Sequence, residues 1–111
     1  MREKKEGKWI YQVGDSRDEI DFIDDMRNGW YKSFYSDGEL RYEGKFIDDN
    51  PNGEHSWYWD NGKLKKQGRY VMGRKNGDWK KFDNNSLPLI VISYTGGREV
   101  KYDGISISTE Q

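Results

Sequence analysis

Asn-Gly recurs every 24 residues through the middle of this chain, at Asn28-Gly29, Asn52-Gly53 and Asn76-Gly77. A fixed period of this length marks an array of small supersecondary units, each unable to bury its apolar face alone. Other residues keep the same step. Asp37-Gly38 and Asn61-Gly62 lie 24 apart, followed by Leu40 and Leu64, then by Gly44 and Gly68. Phe22, Phe46, Tyr70 and Tyr94 carry the step through four units, and Phe22-Ile23-Asp24-Asp25 returns unchanged as Phe46-Ile47-Asp48-Asp49. The outer copies are degenerate, as expected of units that cap an array. Gly7-Lys8-Trp9 starts 22 residues before Gly29, Asn85-Ser86 stands where a turn Gly is expected, and Val100-Lys101 replaces the last Asn-Gly. The array is expected over residues 7–101, with tails at 1–6 and 102–111.

Each unit reads as a β-hairpin. Asp37-Gly38 between alternating segments predicts a two-residue turn with positive φ at both positions. That register sets Tyr35 against Leu40, Ser33 against Tyr42 and Tyr31 against Gly44. Alternation along the strands then collects Tyr31, Ser33, Tyr35, Leu40, Tyr42 and Phe46 on one face. The next unit places His55, Trp57, Trp59, Leu64, Lys66 and Tyr70 there. Gly44 and Gly68 oppose Tyr31 and His55, which leaves room for a ring to lie across the backbone. Asp48–Asn52 and Met72–Asn76 are expected as connecting loops, with Pro51 kept out of any ladder. The composition agrees: Gly occurs 13 times, and aromatic residues make up 15% of a chain only 32% hydrophobic. The expected fold is all-β, a single-layer antiparallel meander of hairpins with a period of about 24 residues.

The unit Gly-x-aromatic-x-x-aromatic, then Asp/Asn-Gly-x-Leu, then a further Asn-Gly, resembles the MORN-repeat variant. Gly77-Asp78-Trp79-Lys80-Lys81-Phe82 and Gly29-Trp30-Tyr31-Lys32-Ser33-Phe34 carry the likeness. His55 in an aromatic slot and the run Leu87-Pro88-Leu89-Ile90-Val91-Ile92 depart from it. The resemblance implies a non-catalytic repeat scaffold for protein–protein binding. It is similar to YwqK-type antitoxin arrays of bacteria, which implies a toxin as partner.

The residues offer little chemistry. Cys is absent, which removes thiolate nucleophiles, disulfides and Cys-based zinc sites. The one imidazole, His55, sits at a position held by Tyr31 and Trp79 in sister units, and reads as a ring packed over Gly68. Asp24-Asp25 and Asp48-Asp49 are paired carboxylates without the ligand spacing of a calcium loop. The glycines mark turns, with no strand-to-helix junction to cradle a phosphate. No enzyme activity, cofactor or metal is therefore expected.

Binding remains. Tyr35, Trp57 and Trp59, near hairpin tips, are the candidate partner contacts, since Trp and Tyr are favoured interface anchors. Residues 1–62 carry 9 basic and 15 acidic side chains, and residues 63–111 carry 10 and 5. The acidic half can steer a basic partner, with Asp48 and Asp49 as the candidate steering charges. Lys63 to Lys81 interleaves basic and aromatic residues, but reads as a solvated sheet face, and no nucleic acid is expected. A glycan- or cell-wall-binding aromatic module is the alternative reading. No apolar leader or membrane span stands out, so a cytoplasmic location is expected and no integral membrane contact. Residues 87–92 are apolar on both strand faces and are expected to be covered, by the 102–111 tail or by self-association.

Overall fold

A computed structural model describes residues 3–104. Ten antiparallel strands form one open sheet. They are β1 (Gly7–Val13), β2 (Ser16–Ile23), β3 (Met26–Phe34), β4 (Leu40–Ile47), β5 (Asn50–Pro51), β6 (Gly53–Tyr58), β7 (Leu64–Val71), β8 (Arg74–Phe82), β9 (Pro88–Thr95) and β10 (Arg98–Gly104). Sequence neighbours are sheet neighbours except at the short β5, where β5 and β6 both pair with β4. The body measures 59 × 33 × 17 Å. That thickness fits one layer of strands with side chains on both faces, since stacked sheets lie about 10 Å apart. β10 runs three residues past the expected array end at 101, while residues 105–111 of the expected tail lie outside the described residues.

Two turn types alternate. At the β3–β4 tip Gly38 N–H donates to Tyr35 C=O (2.9 Å) and Tyr35 N–H to Glu39 C=O (2.8 Å). Gly38 alone has positive φ. This is a three-residue loop ending in a left-handed residue, in place of the expected two-residue turn. Trp59–Lys63 repeats it with Gly62, and Asp83–Leu87 repeats it with Ser86 at φ +60°. Apart from Gly14-Asp15 between β1 and β2, the two-residue turns lie at the other end of the strands. Asp24-Asp25, Asp48-Asp49, Met72-Gly73 and Gly96-Gly97 each have both residues at positive φ. The expected connecting loops are thus tight turns, and Pro51 sits in β5 opposite Phe46. Pro51 fits because that strand is only two residues long, and its carbonyl accepts Gly73 N–H at 2.8 Å.

The longer loop shifts the register by one residue. Tyr31–Gly44 and Ser33–Tyr42 are cross-strand pairs as expected, but Leu40 faces Phe34 instead of Tyr35. Arg41 is the extra residue of a bulge, and Lys65 and Leu89 occupy the equivalent positions 24 and 48 residues on. A bulge re-aims the side chains beside it. Arg41 accordingly reaches Ser33 Oγ (Nη2 2.6 Å), on the face that Tyr42 shares.

The Asn-Gly pairs that define the period are not turns. They stand at irregularities where one unit meets the next, and their Asn side chains pin the following two-residue turn. Asn28 Nδ2 donates to Asp48 Oδ1 (3.0 Å), and Asn52 Oδ1 accepts Met72 N–H (2.9 Å). Backbone bonds run alongside: Asp49 N–H to Arg27 C=O, Gly73 N–H to Pro51 C=O, and Gly97 N–H to Lys75 C=O. Positive φ at Asp and Met is therefore held by inter-unit bonds.

The core is a stripe of rings on one face. Tyr31, Tyr42, Phe46, His55, Trp57, Tyr70, Trp79 and Tyr94 touch in succession, with centroids 4.9–6.4 Å apart. Such pairs each add about 0.5–1.5 kcal/mol beyond area burial. Two of the rings lie on glycine. His55 pairs with Gly68 on one side, but its ring covers Gly44 on the other, and Trp79 covers Gly68. The expectation that His55 packs over Gly68 is corrected by one strand: each ring lies on the preceding glycine. A Cβ at either glycine would overlap the ring above it.

Candidate functional site

The long-hairpin tips line up along one edge of the sheet, and two shallow hollows open there on the aromatic face. The first, about 310 Å³, is lined by Asp18, Tyr31, Ser33, Tyr35, Arg41 and Trp57 among others. The second, about 290 Å³, is lined by Trp57, Trp59, Lys65, Lys66, Lys81, Phe82 and Leu89. Trp57 and Lys65 form the ridge between them.

Tyr35, Trp57 and Trp59 therefore converge, and all three are half-buried. Tyr35 is held by its hydroxyl, which donates to Tyr58 C=O at 2.6 Å. Burial pushes its pKa up. Trp59 Nε1–H donates to Asp83 C=O at 2.8 Å, which ties the second tip to the third. Trp57 is part of the ring stripe, 5.1 Å from Tyr42 and 5.8 Å from Trp79. The rings are thus both packed and presented.

Asp48 and Asp49 lie elsewhere. They form the β4–β5 turn at the far end of β4, roughly 25 Å from the tips given an eight-residue strand. Asp49 Oδ1 accepts from Arg27 N–H (2.8 Å) and Arg27 Nε (3.0 Å). Those bonds hold its carboxyl below the ordinary carboxylate value. Both aspartates have structural roles in locking the turn to the preceding unit.

Sequence reasoning assigned the Lys63–Lys81 stretch to a solvated face, but Lys66 is half-buried and Lys65, Lys66 and Lys81 line the second hollow. Lys66 stands directly opposite Lys81 across β7 and β8, and the bulge at Lys65 brings a third ammonium to the same hollow. Lys66 Nζ lies 4.3 Å from the Trp57 ring centroid and Lys65 Nζ 4.6 Å from that of Trp59. Burial first, then the charges of Lys81, Lys75 and Lys65, lower the Lys66 pKa. Cation–π contact offsets part of that cost. Doubled basic residues in Lys65-Lys66 and Lys80-Lys81 were the available signal, but only the cross-strand register brings Lys65, Lys66 and Lys81 together.

His55 is committed to packing. It is 1% exposed, with Tyr42 O–H donating to Nδ1 (2.6 Å) and Nε2–H donating to Lys45 C=O (2.9 Å). Burial lowers its pKa. Trp79 makes the same bond one unit later, Nε1–H to Arg69 C=O at 3.1 Å. Among the described residues, no three His, Asp or Glu side chains gather as a metal site, and no helix is long and apolar enough to cross a membrane.

The apolar strand β9 is not an edge, because β8 and β10 pair along its two sides; the edge is β10. Leu87 and Leu89 are still 58% and 42% exposed, and Leu89 lines the lysine hollow. Covering by residues 105–111 falls outside the described residues.

Two stretches, residues 27–48 and 51–72, match the family model described as MORN repeat variant. They coincide with the two best-formed units, each running from the strand after one two-residue turn to the next such turn. The matched region is a repeat scaffold, and it contains Tyr35, Trp57, Trp59 and two of the three lysines. No curated protein matches the chain.

Proposed function

We propose that this chain is a non-catalytic repeat scaffold that binds a protein partner through the tip end of its aromatic face. The carrying observation is the convergence of three half-buried rings, Tyr35, Trp57 and Trp59, on two adjoining hollows. Anchors of this kind dominate interface energetics when they sit in pockets that exclude water. The repeat architecture supports the reading, because an extended single-layer sheet presents a large surface without a closed catalytic cavity. Neutralisation of a toxin is the special case implied by the likeness to antitoxin arrays. The acidic residues 1–62, Asp48 and Asp49 included, would attract a partner with a basic surface.

Photo-crosslinking tests this. A benzophenone side chain replaces Tyr35 in one variant and Trp30 in another, within cells of the source organism. Trp30 lies on the opposite face, between Lys32 and Lys45. A discrete crosslinked protein at position 35 and none at 30 supports the reading; equal labelling at both contradicts it.

A further inference from the structure

We infer that the hollow between Trp57 and Trp59 receives an acidic side chain of the protein partner, with an aliphatic neighbour seated against Phe82 and Leu89. This deepens the proposed function and rests on it.

The first argument is the Lys66–Lys81 pair. Like charges directly opposite in a sheet destabilise it, and Lys66 is half-buried as well. The sister position one unit earlier shows that the fold does not require them. There the equivalent pair is Tyr42–Trp57, two rings 5.1 Å apart. Among the described residues, no carboxylate lies within ion-pairing distance of Lys65, Lys66 or Lys81. Three lysines lining one largely apolar hollow are an arrangement that an anion completes.

The second argument selects the anion. Lys66 covers one face of Trp57 and Lys65 one face of Trp59, which removes those faces as platforms for stacking a nucleobase. The concave, partly apolar lining from Phe82 and Leu89 suits a peptide side chain better than a flat bilayer. The polarity of the chain agrees: a partner drawn to acidic residues 1–62 still needs an acidic anchor where residues 63–111 turn basic.

The test uses the full chain and a blocked pentapeptide, Ser-Asp-Leu-Asp-Ser, beside its Asn counterpart. The Trp57 and Trp59 indole N–H signals are followed by NMR. The Asp peptide is expected to shift both signals saturably, and the Asn peptide to bind about tenfold or more weakly. Lys66→Gln and Lys81→Gln are each expected to weaken the Asp peptide while raising the unfolding midpoint, since each relieves the like-charge pair. Equal binding of the Asn peptide would overturn the inference and leave the protein-binding reading standing. So would lysine variants that bind normally, or a hollow silent to both peptides. Shifts produced only by an oligothymidylate or by phosphatidylserine vesicles would assign the lysines to a phosphate ligand instead. Failure of the protein-binding reading itself would show separately, as loss of selective crosslinking at position 35.

Discussion

His55 lies flat on the backbone of Gly44, its Nδ1 accepting a hydrogen bond from Tyr42 and its Nε2–H donating to Lys45 C=O. Sister units solve the same problem with Trp79 on Gly68 and without a titrating group. The difference makes stability depend on pH. Burial lowers the folded pKa of His55 below its ordinary 6.5, so the unfolded chain binds the proton first. Its contribution is present above pH 6.5 and is lost as pH falls from there toward the folded pKa. Urea unfolding at a series of pH values should show this decline in the wild type. His55→Trp should remove it, because an indole at this position can keep the bond to Lys45 C=O. Parallel pH curves for the two proteins would contradict the account.

The glycines beneath the rings are the next test. Gly44→Ala and Gly68→Ala should each cost roughly 1–3 kcal/mol, the range for forcing extra volume into a packed site. Gly14→Ala adds a methyl group with no neighbour within 4 Å. It should lose only the smaller backbone penalty of positive φ. Thermal unfolding separates the two classes, and equal losses at all three sites would remove the ring-on-glycine packing.

Met72 occupies the first position of a two-residue turn at φ +47°, 58% exposed. Met72→Asn creates the Asn-Gly pair favoured in such turns. The bond to Asn52 Oδ1 is donated by the backbone N–H of residue 72 and survives. Stability should rise by roughly 0.5–1 kcal/mol, read from chemical denaturation. A loss would mean that the Met72 side chain supports the turn.

Much of this fold was legible because period and alternation are carried by residue identity. The 24-residue step placed Tyr31 against Gly44 and His55 against Gly68, and it gathered the rings on one face. The bulges at Arg41, Lys65 and Leu89 were not legible. One extra residue leaves no trace in composition, and Asp37-Gly38 suits a two-residue turn as well as the three-residue loop that forms. The Asp24-Asp25 and Asp48-Asp49 turns were hidden for another reason. Asp is an unusual choice at two consecutive positive φ values, and here bonds from the preceding unit hold it. Tyr35, Trp57 and Trp59 were found as a group, but the lysines beside them depend on the bulge and the β7–β8 register.

Asp48 and Asp49 separate charge from structure. Asp49→Asn should weaken the Arg27 ion pair and lower the unfolding midpoint. Asp48→Asn keeps a residue tolerant of positive φ, so stability should hold. Association with a captured partner should then slow and depend less on salt. Unchanged association kinetics would confine both aspartates to the turn.

The central claim, that the tip rings bind a protein partner, is tested most directly by the dissociation rate of the crosslink-identified partner from immobilised Trp59→Ala and Trp30→Ala variants. Both variants are first shown to be folded by circular dichroism. Loss of an interface anchor costs about 2 kcal/mol or more, which predicts dissociation faster by roughly thirtyfold for Trp59→Ala and unchanged for Trp30→Ala. Wild-type dissociation from a folded Trp59→Ala variant would contradict the account.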